Sequence, residues 1–166
     1  IMDNAKNSHL EVMKAEVPGP VFGKVVSKLK NTAQILYILY LAMFALFVVI
    51  YYLAGMPLYD SFVIAMGTAG TGGFTVYNDG IAHYNSSLIT YLTSVGVLMF
   101  GVNFNLYYYL MLRRVKEFFF DEELRAYLLI VVVSTGLITL NTLHLYSGVS
   151  QSFEMAFFQV SNIITT

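Results

Sequence analysis

A chain of 166 residues that is 57% hydrophobic and only 11% charged, with a net charge of −1 and no cysteine, is not composed like a soluble domain. Soluble domains are about 45–50% apolar and about 25% charged, because their surfaces must stay hydrated. The balanced charge excludes a broad basic face for nucleic acid, and the lack of cysteine excludes disulfide frameworks, thiolate nucleophiles and cysteine-ligated metals.

The first thirty residues are polar, mixed in charge and without a signal-peptide pattern. The chain opens on Ile1 and stops at Ile163-Ile164-Thr165-Thr166, so it is expected to be a fragment. The first membrane span is predicted over Ile35–Ala54, which holds no charge. About 20 largely apolar residues are enough to cross a bilayer as a helix. After the turn signal Gly55-Met56-Pro57 comes a short apolar stretch, Leu58–Ala69, and then the glycine-rich loop Gly67–Thr75. The second span is predicted over Ser87–Leu112, again uncharged, and the third over Ala126–Leu145. Ser147-Gly148 then leads into a second short apolar stretch, Phe153–Ile164. Apolar runs of about 10–14 residues are more often re-entrant or buried than spanning.

The positive charges orient this arrangement. All nine Lys and Arg residues fall in two places: Lys6, Lys14, Lys24, Lys28 and Lys30 before the first span, and Arg113, Arg114, Lys116 and Arg125 between the second and third. Loops rich in Lys and Arg stay in the cytoplasm. Residues 1–34 and the Arg113–Arg125 loop are therefore expected inside, and both short stretches enter from outside. The organisation reads as a cytoplasmic lead-in (1–34), a complete helix–pore loop–helix unit (35–112), a cytoplasmic loop (113–125) and the first part of a second unit (126–166). The units echo each other at a spacing of roughly 95 residues. Tyr59-Asp60-Ser61-Phe62 matches Phe153-Glu154-Met155-Ala156-Phe157, and Thr68 and Thr71 match Thr165 and Thr166. The fold class is an all-α integral membrane protein, with a repeat of spanning helix, re-entrant pore helix, filter loop and spanning helix, as in potassium channels.

The loop Gly67-Thr68-Ala69-Gly70-Thr71-Gly72-Gly73-Phe74-Thr75 carries the chemistry. As a bare motif it is an ordinary turn. Its place matters more: non-helical backbone at membrane depth is tolerated only when protein buries it or it lines an aqueous path. Glycines there let carbonyls converge and replace the water shell of a cation. The pore helix also directs its partially negative C-terminal end inward.

Asp60 and Glu154 open the two short helices, either as helix N-terminal acids or as cation attractors at an outer mouth. Asp79 is a turn residue beside Gly80 or part of that mouth. Asn103 and Asn105 either bond between helices or line an inner cavity, and Gly96 and Gly101 permit close helix packing. Tyr107, Tyr108 and Tyr109 suit an interfacial aromatic belt. His83 and His144 have no partners that suggest catalysis, and no span carries a Ser/His, paired-Asp or His-cluster arrangement, so an intramembrane enzyme is poorly supported. The rival to a pore is a non-conducting anchor or assembly subunit whose glycine loop is only structural.

Taken in order, several pieces resemble the Trk/Ktr/HKT superfamily of potassium transporters, in particular its bacterial TrkH/KtrB-type membrane subunit. They are His9-Leu10, Lys14-Ala15-Glu16-Val17-Pro18-Gly19-Pro20, Thr32-Ala33, Leu53-Ala54-Gly55-Met56 and Thr71-Gly72-Gly73-Phe74-Thr75. Gly101-Val102-Asn103-Phe104, Asp121–Arg125 and Phe157–Thr166 complete the set. The resemblance implies four such units around one pore, of which this chain holds the second and the start of the third. It makes Thr71, Gly72, Gly73 and Phe74 a filter strand with Gly73 as its key glycine. K+ would be bound by the carbonyls of Thr71, Gly72 and Gly73, and Thr165 and Thr166 would open the next strand. It further implies potassium uptake across a bacterial inner membrane, with no covalent cofactor. The expected partners are the lipid bilayer, a second copy in a homodimer and cytoplasmic nucleotide-binding regulatory (RCK-type) subunits.

Overall fold

The computed structural model describes residues 21–166 apart from 112, 114 and 147, so the pieces within residues 9–20 lie outside the described residues. Among the described residues all regular structure is helical. In chain order the α-helices are α1 (Val21–Leu53), α2 (Leu58–Ala69), α3 (Ser87–Gly101), α4 (Phe104–Met111), α5 (Val115–Phe119), α6 (Glu122–Thr142) and α7 (Val149–Thr165). A 3₁₀ turn, Gly80–Tyr84, precedes α3. The chain divides into two compact units, Ile1–Ile38 and Leu39–Thr166. The described part of the first is the beginning of α1, and the packing below belongs to the second.

Stretches Ala33–Leu53 and Glu122–Thr142 are long and apolar enough to cross a membrane. The first short stretch is helix α2 over the residues expected, and the second, Phe153–Ile164, lies within α7, a 17-residue helix that begins four residues earlier at Val149. Helix α1 stops in a Schellman turn: Gly55 takes φ +99°, and the amides of Gly55 and Met56 reach back to the carbonyls of Tyr52 and Tyr51. Pro57 then prevents continuation and stands at the start of α2.

The core forms where α1 meets α2 and α3. Met43, Phe47 and Tyr51 recur every four residues along one face of α1 and are buried against Ile64 and Ala65 of α2 and Phe100 of α3. Gly96 allows this approach, since a Cβ there would lie 2.6 Å from the Phe47 ring and 2.8 Å from Cγ2 of Thr68. Helix α3 packs on α7, and α7 on α6.

The second span is not the single helix expected over Ser87–Leu112. It breaks after Gly101, where Val102 is extended (φ −71°, ψ 143°), and resumes at Phe104. A break exposes the last carbonyls of the first segment, and here tyrosine hydroxyls satisfy two of them. Tyr107 donates to the Met99 carbonyl at 2.7 Å and Tyr127 of α6 to that of Leu98 at 3.2 Å. Asn103 caps the new helix by accepting from the Asn105 amide at 3.0 Å. Its side-chain amide donates to Glu123 of α6 at 3.1 Å, so the interhelical reading of Asn103 is the observed one.

Candidate functional site

The site begins where α2 ends. Thr71 takes φ +46°, the left-handed conformation that usually selects glycine. Its amide returns to the carbonyl of Thr68 at 3.2 Å, and the Gly72 amide to that of Gly67 at 2.9 Å. This second Schellman turn has a β-branched residue at its left-handed position, at a cost of roughly 1–2 kcal/mol. It spends two amides of the loop on the helix behind it. The carbonyls of Thr71, Gly72 and Gly73 accept no hydrogen bond among the described residues. Gly72, Gly73 and Phe74 are exposed and Thr71 is half-buried. Gly73 is left-handed at φ +65°, and a Cβ on it would meet nothing within 4 Å.

The loop is held against its own helix. A Cβ at Gly67 would stand 2.6 Å from the Phe74 carbonyl oxygen and 3.2 Å from its nitrogen, so only glycine lets the returning backbone pass this closely. Thr68 is fixed from both sides: its hydroxyl donates to the Ile64 carbonyl at 2.8 Å and lies 2.9 Å from the hydroxyl of Tyr51. From sequence, Gly67 is only the first residue of the glycine-rich loop, and Tyr51 only one more residue of the first span. The cue for Gly67 is a glycine one turn before the end of a short helix.

At the other end of α2, Asp60 lies in the first turn, buried, and accepts from the Tyr84 hydroxyl at 2.7 Å. Burial, and then the Asp60 carboxylate beside it, raise the Tyr84 phenol well above its usual pKa, so it keeps its proton and remains the donor. Asp79 is exposed and directly precedes the 3₁₀ turn, beside Gly80 at φ +66°. Asp60 and Asp79 are thus placed differently, one inside the fold and one on its surface.

A cavity of about 550 Å³ opens between the glycine-rich loop, the 79–82 segment, α3 and α7, lined by Gly73, Phe74 and Thr75 and by Gln159 and Asn162. It brings α7 beside the glycine-rich loop. In α7, Glu154 is buried and Thr165 is helical. The Thr165 hydroxyl donates to the Ser161 carbonyl at 2.8 Å, and its methyl group lies under Gly101 at the break in the second span. Among the described residues, no group of three or more His, Cys, Asp or Glu side chains is placed to hold a metal ion.

The family profile described as "TrkH: Cation transport protein" matches residues 6–162. The chain belongs to the TrkH family of cation transport proteins. Among its relatives, the Trk system potassium uptake protein TrkG of Escherichia coli K12 is 30% identical over 161 residues, covering 93% of this chain and 33% of that protein. The Trk system potassium uptake protein TrkH of Vibrio parahaemolyticus is 29% identical over 163 residues, covering 95% and 34%. The crystal structure of the potassium transporter TrkH from Vibrio parahaemolyticus superposes with a TM-score of 0.76 at 27% identity, over 81% of this chain and 30% of that one. This TrkH-family chain therefore spans about a third of the length of the curated relatives it matches. Its fold is the all-helical, membrane-embedded one of that family, with short helices between longer apolar ones.

Proposed function

We propose that this chain supplies one complete filter strand, and the start of the next, to a pore for potassium uptake. The observation that carries this is the backbone of Thr71–Gly73. Its amides at Thr71 and Gly72 are turned back to α2, while three successive carbonyls at an exposed loop accept no hydrogen bond among the described residues. Partner-free carbonyls suit a desolvated cation, because they replace its hydration shell without competing for a donor. The end of α2 adds a partial negative charge. Thr71, Gly72, Gly73 and Phe74 form the strand, with K+ at the carbonyls of the first three, and Thr165 and Thr166 open the following strand. Asp60 and Asp79 are the acids at the outer mouth, Asp79 on the surface and Asp60 buried and bonded to Tyr84. Residues 35–112 are the complete unit and 126–166 the partial one. The names of the relatives support potassium as cargo. Family membership supports a homodimer, RCK-type cytoplasmic partners and a bacterial inner-membrane location, with residues 1–34 and the Arg113–Arg125 loop inside.

The test is Gly73→Ala and Gly73→Ser in the full-length protein. An L-residue at φ +65° strains the strand even with open space around it. Both variants should lower the ratio of rubidium to sodium flux, by about tenfold for Ser, a change worth about 1.4 kcal/mol, with normal membrane insertion. Unchanged flux in both would favour the non-conducting anchor.

A further inference from the structure

The break in the second span sits beneath the end of α7. A Cβ at Gly101 would lie 2.5 Å from Cγ2 of Thr165 and 2.9 Å from the hydroxyl of Tyr127. That hydroxyl is in turn committed to the Leu98 carbonyl freed by the break. Thr165 cannot easily rotate away, because its own hydroxyl is bonded to the Ser161 carbonyl at 2.8 Å. Thr165 of α7 thus rests on a glycine of the preceding unit, in a gap just wide enough for a bare Cα.

From this geometry we infer that Gly101 is a selectivity-positioning residue: it sets the height of Thr165, and so of the filter strand that Thr165 begins, without belonging to any filter strand itself. The inference rests on the proposed role of Thr165 at the start of that strand. A methyl group at position 101 must displace either Thr165 or Tyr127. Overpacking of a well-filled site forces side chains and backbone to shift. The α7 end has the shorter contact, and its hydroxyl bond ties the side chain to the helix, so movement passes to the backbone of Thr165. Tyr127 presents only the far end of a long side chain.

The experiment uses the full-length transporter in proteoliposomes and reads the ratio of rubidium to sodium flux. Gly101→Ala should lower that ratio about three- to tenfold while total insertion stays near normal. Thr165→Ser removes only the methyl group that meets the new Cβ and keeps the hydroxyl. The double variant Gly101→Ala/Thr165→Ser should therefore recover the ratio of Thr165→Ser alone. Pairing Gly101→Ala with Tyr127→Phe should not recover it. Rescue by Tyr127→Phe and not by Thr165→Ser would overturn the inference, as would a Gly101→Ala protein with an unaltered ratio. If Gly101→Ala fails to insert, restored insertion and ratio in the Thr165→Ser double variant still support the contact, and failure of that double overturns it. A normal ratio in Gly101→Ala beside an altered one in Gly73→Ser would sink this inference alone. Normal ratios in both would sink the pore reading with it.

Discussion

Asp60 is a buried carboxylate whose hydrogen bond comes from a different segment, the Tyr84 hydroxyl at 2.7 Å. Removing that hydroxyl leaves a buried acceptor without its donor, and bonds to charged groups contribute about 1.5–3 kcal/mol. Tyr84→Phe should lower the melting temperature in detergent by a clear margin, whereas Asp60→Asn, whose amide oxygen still accepts from Tyr84, should cost less than about 1 kcal/mol. Melting measurements on both, with rubidium uptake alongside, check the order. If Asp60→Asn abolishes uptake while its melting is normal, the negative charge acts on ions at the mouth rather than as an anchor for α2. At this scale the sequence shows the helix-opening acid but not its partner, because Tyr84 lies 24 residues away and meets Asp60 only through the fold. Gly67 was hidden for the same reason. Its lack of a side chain matters only against the Phe74 backbone, which the loop brings back to it.

Short helices were the easiest elements to read. Length and apolar content mark Leu58–Ala69, and a twelve-residue helix spans those same residues. The broken span was not legible, because Gly101-Val102-Asn103 lies in an uncharged run that hydropathy reads as continuous. What permits the break is tertiary: Tyr127 reaches across from α6 to a freed carbonyl. Asn103 supplies the local part by capping α4 at the Asn105 amide. Asn103→Ala should cost about 1 kcal/mol, the usual worth of an N-cap, while Asn103→Ser, which keeps a capping oxygen, should cost only a few tenths. Denaturation in mixed micelles distinguishes them. Equal losses in the two variants would mean that the bond to Glu123, which serine cannot make, outweighs the cap.

For the molecule as a whole, two separate patterns point to the bilayer. Along α6, Leu129, Val132, Leu137 and Leu140 are each at least 64% exposed, a surface that water would not tolerate on a stable monomer. Lys and Arg meanwhile cluster only before the first span and around 113–125, leaving Gly55–Ser87 free of them. Apolar exposure alone is equally consistent with burial by further repeats, and charge sorting alone with a tethered soluble loop. Together they predict helices that alternate in direction, with the Thr71–Gly73 loop on the outer side and the Arg113–Arg125 segment on the inner side. The absence of cysteine from this chain makes the arrangement directly measurable. On a full-length background also freed of cysteine, Asp79→Cys should react with a membrane-impermeant maleimide in intact cells, and Lys116→Cys only after permeabilisation. Both positions are exposed in this chain, and reaction of each cysteine in the denatured protein is the control for burial. Labelling of Lys116→Cys in intact cells would invert the topology. The carbonyls of Thr71–Gly73 would then open to the cytoplasm, where they could not receive potassium on its way in.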